Sequence, residues 1–373
     1  MAISKKTFSG GSSLRERLRA RIVRDGPISF HDWMQIALYD QREGYYCRSD
    51  RLRWGRAGDY RTAPEVSPLF AATFARYFAK LFAEMGSPQP WTIMEVGAGS
   101  GEFAQIVLES LALRHPSVYA ATRYVIDEIN SASSERIRER LSQFRERVDF
   151  CRLDHIARPI KGVIFSNELL DAFPVHRVVL RDGHWRELRV GVNDQGKFIW
   201  SEAELPNDRV ANYLDTSEVL FSEGQVVEIN LDAEDWIARA AAALERGFMI
   251  SVDYGDERGD LLRARERHEG TLRAFHRHGF VEDVLANPGE QDLTTTVNWT
   301  QIKQAGERAG LRTVKFERLD QFLTHEGLLD ELEQLANEQK SGVDILRLRT
   351  SAREMIMPHG LASSFQVLVQ QKA

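Results

Sequence analysis

Cys47 and Cys151 are the only cysteines in a chain of 373 residues. Two are too few for a disulfide framework or a cysteine zinc set, and they suit a reducing compartment. No stretch approaches the ~20 consecutive apolar residues a membrane-spanning helix needs, so no membrane insertion is expected. Basic charge is not in excess: 49 Lys and Arg face 55 Asp and Glu, for a formal net charge of −6. That balance argues against a general nucleic-acid binder, which relies on basic surfaces. The crowded arginines Arg15, Arg17, Arg19, Arg21 and Arg24 read as one solvated helix face. Met1 to Gly11 lacks the apolar core of a secretory signal; its shortage of acidic residues keeps an organelle-targeting role open, and the expectation is a cytoplasmic protein. His268, His276 and His278 have no cysteine or i, i+4 histidine partner, so no metal site is expected. There is no Gly-x-Ser-x-Gly elbow, Walker loop, internal repeat or low-complexity tract.

What is present is ordinary globular material, 43% hydrophobic and 28% charged, in a length that suits one elaborated core or a core with a companion. Residues 1–90 read as a helical N-terminal cap. Helices are expected over 14–24, 30–39 (capped by Ser29) and 69–85, with a long loop from Asp40 to Pro68. From Trp91 to the end the pattern alternates. Strand 91–96 leads to helix 102–114, strand 124–128 to helix 132–144, strand 161–166 to a short helix 168–172, and helix 232–246 to strand 248–253. Such alternation marks a parallel α/β sheet. Two insertions break it. One, about 175–230, is β-rich, with hairpin turns at Asp182-Gly183 and Asp194-Gln195-Gly196. The other, about 257–298, is polar and Gly-punctuated. The tail reads as helix 299–309, strand 312–318, more helix, and strand 364–370.

The sharpest motif is Glu95-Val96-Gly97-Ala98-Gly99-Ser100-Gly101, where an apolar strand enters a three-glycine turn and a helix leaves it. Glycines let the backbone turn tightly and approach a ligand. The dinucleotide spacing is G-x-G-x-x-G, suited to a pyrophosphate. Here the third glycine comes one residue early and Glu95 precedes the first by two, which better suits S-adenosylmethionine, a ligand without phosphates. Glu128, at the end of the next strand, could accept hydrogen bonds from both ribose hydroxyls, with Asp127 facing the other way. Ser166 to Pro174 follows the third core strand at the ligand-binding edge. There Asn167 could contact a cofactor or cap a helix, and Glu168 and Asp171 share a helical face at i, i+3. Asp253-Tyr254-Gly255 reaches the same edge after an apolar strand, as a substrate-side carboxylate or a plain turn. Thr62, Glu65 and Ser67 read, on physics alone, as capping groups for the helix that follows.

Together these segments resemble the MidA-like methyltransferases, relatives of the mitochondrial complex I assembly-factor protein arginine methyltransferase. The resemblance runs through Gly26 to Phe30, Gly44-Tyr45-Tyr46, Gly58-Asp59-Tyr60, Thr62 to Glu65, Glu95 to Gly101, Asn167 to Ala172, Asp253 to Gly255, Gly270 to Leu272 and Gly289 to Thr294. It departs at Ile129-Asn130-Ser131 and at Val297-Asn298-Trp299. It implies a class I Rossmann-like α/β methyltransferase with a helical N-terminal cap and a β-rich insertion. The implied cofactor is S-adenosylmethionine, held by Glu95, Gly97, Gly99, Gly101, Glu128, Asn167 and Thr62. The implied activity is methylation of arginine in a protein substrate, a respiratory-complex subunit by analogy, with Glu168, Asp171, Asp253 and Glu65 as the carboxylates that clamp a guanidinium. A homodimer is compatible with this reading. A non-catalytic assembly factor, a small-molecule methyltransferase and an NAD-dependent oxidoreductase are the competing expectations.

Overall fold

The computed structural model describes residues 12–49, 67–216, 219–263, 265–276, 279–339, 341–357 and 360–373. Its centre is a sheet whose seven main strands, in chain order, are β1 (Trp91–Val96), β2 (Thr122–Asp127), β3 (Val148–Phe150), β4 (Ile160–Asn167), β5 (Leu244–Asp256), β6 (Arg312–Arg318) and β7 (Phe365–Lys372). Their spatial order is β6-β7-β5-β4-β1-β2-β3. The first five are parallel, and β7 runs antiparallel to both its neighbours. A two-residue strand, Val297–Asn298, pairs with the end of β5. All six residues of β1 are buried, as expected for a parallel strand covered on both faces, which reads as a continuous apolar run. Strands are added outward from β1 through β2 to β3, and then the chain returns to lay β4 on the other side of β1. In open α/β sheets a ligand crevice forms at such a reversal, beyond the carboxyl ends of the strands.

Aromatic packing fixes one face of this sheet. In the helix Pro68–Glu84, Phe70, Phe74 and Phe78 recur at i, i+4 spacing and are fully buried. Phe103 stacks on Phe165 of β4 with ring centroids 4.4 Å apart, a pair that contributes ~0.5–1.5 kcal/mol beyond its burial. The opposite face is covered by helices Leu231–Ala243 and Trp299–Arg308, which bring Trp236, Ile237 and Trp299 against Met94, Ile164 and Met249.

The N-terminal residues divide between cores. Helix Leu14–Asp25 starts at a reciprocal box in which Ser13 Oγ accepts from Glu16 N and Glu16 accepts from Ser13 N, an arrangement of typical worth ~1 kcal/mol. That helix and Phe30–Tyr39 pack against the first insertion, with Leu18, Phe30 and Trp33 beside Val190 and Phe198. Ile28–Ser29 joins the insertion's sheet directly, opposite Val190 and Arg189. Helix Pro68–Glu84 belongs instead to the main core. The described residues of the expected 1–90 cap thus divide between two hydrophobic centres.

The first insertion forms antiparallel hairpins over His176–Arg181, His184–Val192 and Phe198–Ala203, closed by Val226–Ile229. Asp182 and Gly183 take φ of 50° and 75°, as a two-residue hairpin turn of primed type requires. The second insertion holds a three-stranded sheet of Gly279–Val281, Arg273–His276 and Asp292–Thr294. Several elements differ from the sequence reading. Residues 116–121, between the expected helix 102–114 and strand 124–128, form a further helix begun by Pro116. The expected helix 132–144 splits into Ser131–Arg140 and a 3-10 turn, Ser142–Phe144. Strand β3, three residues long, carries too little pattern to be read.

Candidate active site

The glycine turn stands at the end of β1, beside the strand-order reversal. Gly97, Gly99 and Gly101 all have positive φ, at 76°, 57° and 74°, a region where a side chain is strained. Gly97 N donates to Asp127 O at 2.8 Å and ties the turn to β2. Gly97, Ala98, Gly99 and Ser100 line a cavity of about 890 Å³. Gly101 is not in its wall. A Cβ there would lie 2.9 Å from Ile137 Cγ2, so the third glycine admits the neighbouring helix rather than a ligand.

Three carboxylates around the turn have distinct tasks. Glu128 lies one residue beyond β2, and its oxygens accept from Gly99 N at 3.2 Å and Asn130 N at 2.8 Å. Asp127, on β2 itself, lines the same cavity and accepts from Leu153 N at 2.8 Å while pairing with Arg152 Nε at 2.8 Å. Glu95 is buried in the cavity wall and accepts from Tyr124 OH at 2.6 Å. Burial first, and the charge of Glu128 next, push its carboxyl up to about 8.

Other walls were not read from the sequence. Arg152, Leu153 and Asp154 enter the cavity after β3, and the missed strand hid them. Trp236 and Arg239 come from helix Leu231–Ala243, with Arg239 paired to Asp154 at 3.0 Å. Tyr39 and Tyr46 come from the N-terminal segment. Asn130 holds that segment in place. Its Nδ2 donates to the carbonyls of Tyr46 and Arg48, both at 3.0 Å, while its Oδ1 caps helix Ser131–Arg140 through Ser133 N. A position that stood out only as a departure from the family pattern is therefore a tether.

Beyond β4 the backbone kinks. Glu168 has a φ of 51°, and the turn Leu170–Ala172 is a 3-10 turn. The expected i, i+3 helical face shared by Glu168 and Asp171 therefore does not form. Both residues nonetheless line a second cavity of about 610 Å³, and Glu168 and Tyr46 line both cavities, so they mark the boundary between them. Asp171 Oδ2 accepts from Tyr254 OH at 2.6 Å. Asp253 lines neither cavity. It is fully buried, and its oxygens accept from the backbone N–H groups of Leu170, Asp171 and Tyr254. Its place is underneath the site, holding the Glu168–Asp171 turn. Burial, then the charges of Asp171 and Glu168, raise its carboxyl well above the usual range. Thr62 and Glu65 lie outside the described residues. Among the described residues no group of three His, Cys, Asp or Glu could hold a metal ion, and no helix is long and apolar enough to cross a membrane.

The first cavity fits an adenosylated amino acid carrying positive charge. Its described wall has six Asp and Glu side chains besides the protonated Glu95, against two guanidiniums, and both guanidiniums are already paired, with Asp127 and Asp154. Asn167 Oδ1 is buried there with no hydrogen-bond partner among the described residues, an acceptor that a ligand donor would satisfy, since buried polar groups are nearly always hydrogen-bonded. Its size falls within the range of small-molecule sites. Fold and site together define a Rossmann-like methyltransferase built for a cationic adenosine cofactor.

The comparisons agree. The family of S-adenosyl-L-methionine-dependent methyltransferases called Methyltransf_28 matches residues 73–317, and the chain belongs to it. The cofactor of this family is S-adenosylmethionine, and the glycine-turn cavity has the size and lining to hold it. The chain is 27% identical over 339 residues to the Protein arginine methyltransferase NDUFAF7 homolog, mitochondrial, of Drosophila melanogaster, covering 82% of this chain and 73% of that one. It is 24% identical over 351 residues to the Homo sapiens protein of that name, covering 83% and 75%. Among solved structures it is similar to a superfamily member from Burkholderia thailandensis bound to S-adenosyl-homocysteine, at TM-score 0.83 and 28% identity, covering 96% of this chain and 92% of that one.

Proposed function

We propose that this methyltransferase acts on a guanidinium nitrogen of arginine in a protein substrate, a respiratory-complex subunit by the family resemblance of its sequence. The observation that carries the reading is the boundary between the two cavities. Glu168 stands in both walls, and Asp171 and Asp292 line the second cavity with it. When bound in the first cavity, the cofactor supplies an electrophilic methyl group on a cationic sulfur. The chain's own residues must then bring a nucleophile to it. A guanidinium is charged at neutral pH, and its lone pairs are delocalised. Carboxylates grip its planar fork and orient one nitrogen, so Glu168 at the boundary holds the acceptor next to the methyl donor. Asp253 fixes that geometry from below by binding the backbone of the turn. That these relatives are named protein arginine methyltransferases supports the choice of arginine.

The test is Glu168→Gln, which keeps the shape and loses the charge. Transfer of labelled methyl from S-adenosylmethionine to protein in a cell extract is expected to fall ~10²-fold or more, while cofactor affinity stays within about threefold. That pattern marks an interaction made mainly in the transition state. A normal transfer rate would remove Glu168 from the reaction, and label recovered only on lysine, carboxylates or small molecules would overturn the arginine reading.

A further inference from the structure

Two segments that carry the family resemblance, Gly44-Tyr45-Tyr46 and Gly289 to Thr294, each send one side chain into the cavity walls, Tyr46 and Asp292. They meet at the second cavity. Tyr46 OH donates to Asp292 Oδ1 at 2.6 Å, joining residues 246 positions apart in the chain. Both side chains line the second cavity, and Tyr46 also reaches the first.

The contact is built from the backbone outward. Gly289 has a φ of 81°, and a Cβ there would run into the Glu43 carbonyl and lie 2.9 Å from Leu14. The absence of that Cβ lets the 289–292 segment close on the 43–46 segment. Tyr46 is pinned at both main-chain ends, N donating to Leu38 O at 2.8 Å and O accepting from Asn130 Nδ2. Its ring packs against Tyr39 and Tyr45, with centroids 5.5 and 5.2 Å away. Asp292 is almost wholly buried, on a strand held by Phe275. Asp292 lines the cavity that also receives Glu168 and Asp171, so the three carboxylates surround one space.

We propose that Asp292 and Tyr46 form the second half of the guanidinium clamp. Asp292 supplies negative charge to the fork, and Tyr46, held by Asp292, places its phenol oxygen at the boundary where the acceptor nitrogen meets the methyl donor. This rests on the arginine reading given above. It adds that cation selectivity resides in the N-terminal segment and the second insertion, not only in the turn after β4.

The experiment measures binding of N-acetyl-arginine amide, and of its neutral isostere N-acetyl-citrulline amide, to the full chain loaded with S-adenosylhomocysteine. The wild type is expected to prefer the arginine probe at least tenfold. Asp292→Asn should lower that preference about tenfold, and Tyr46→Phe should lower it by a smaller factor through the same hydrogen bond. S-adenosylhomocysteine affinity should stay within about threefold in Asp292→Asn, whose residue lines only the second cavity, and thermal melts report the fold of both variants. Loss of both probes in equal measure would mark a structural role and overturn the proposal. Glu168→Gln losing the preference while Asp292→Asn and Tyr46→Phe keep it would overturn the proposal and leave the arginine reading standing. A wild type that does not distinguish the two probes would sink both.

Discussion

Because Glu95 is buried against the cofactor turn and held up to about 8, cofactor binding should expel a proton. At pH 7 a carboxyl one unit below its pKa is roughly 90% protonated, since one unit is a factor of ten. A cationic ligand entering the same cavity favours the ionised form. Displacement of this pKa by two units or more would leave the bound state almost fully ionised, so roughly 0.8–0.9 proton leaves per cofactor bound. Calorimetry in phosphate and in Tris at pH 7 reads this number directly, because the apparent enthalpies differ by the proton count times the difference in buffer ionisation enthalpy. Glu95→Gln keeps the shape and should bring the count close to zero. The unliganded protein supplies an independent check. In the unfolded chain this group ionises near its ordinary value of 4.5, in the folded chain only near 8, so it favours unfolding progressively as pH rises through that window. Glu95→Gln should remove that part of the slope. A wild-type count near zero, or an equal count in the variant, would refute the reasoning.

Glu128→Ala removes the carboxylate that grips Gly99 N and Asn130 N and that, on the sequence expectation, accepts from the cofactor's ribose. Hydrogen bonds to a charged group are worth ~1.5–3 kcal/mol, so cofactor affinity should fall about tenfold to a hundredfold; an unchanged dissociation constant would dismiss the assignment. Gly101→Ala meets both a positive φ and Ile137, and should cost ~1–3 kcal/mol of stability in denaturant melts, whereas cofactor affinity measured on the folded fraction should hold within about threefold. His31 is raised to about 9 by its hydrogen bonds to Asp232, first, and Asp32. Its contribution to stability is therefore complete below about 6.5 and is lost as pH rises through 9. Thermal melts of His31→Gln should lack the part of the decline between those values that His31 causes, and parallel curves for wild type and variant would count against the pairing.

Much of the frame was legible from the sequence. Helix Phe30–Tyr39 and strand Arg312–Arg318 fall at the expected residues, because a cap or a glycine punctuates each and the apolar period between is clean. The glycine turn was legible for the same reason. What escaped depends on long-range packing. Glu168 sits in a left-handed conformation that no propensity rule assigns to glutamate; Glu168 N donates to Val252 O at 2.9 Å, which helps hold the bend. Asp253 looked like a substrate carboxylate because an apolar strand delivers it to the active edge, yet the fold spends its oxygens on backbone donors. The second cavity could not be read at all, since its wall gathers Tyr46, Glu168, Tyr254, Arg273 and Asp292 from separate segments, and no local pattern connects them.

The placement of β7 between β5 and β6 has a consequence for synthesis. The sheet cannot be finished until residues 365–372 exist, because they alone join β6 to the rest. Strand β5 ends at Asp256, so at ~5–20 residues per second its outer edge waits roughly 5–20 s for its neighbour. An apolar strand with unpaired N–H and C=O groups is an open template for foreign strands. Premature stops inside the last helices would leave that edge permanently bare, and such truncations should appear as aggregates rather than as shorter, soluble enzymes.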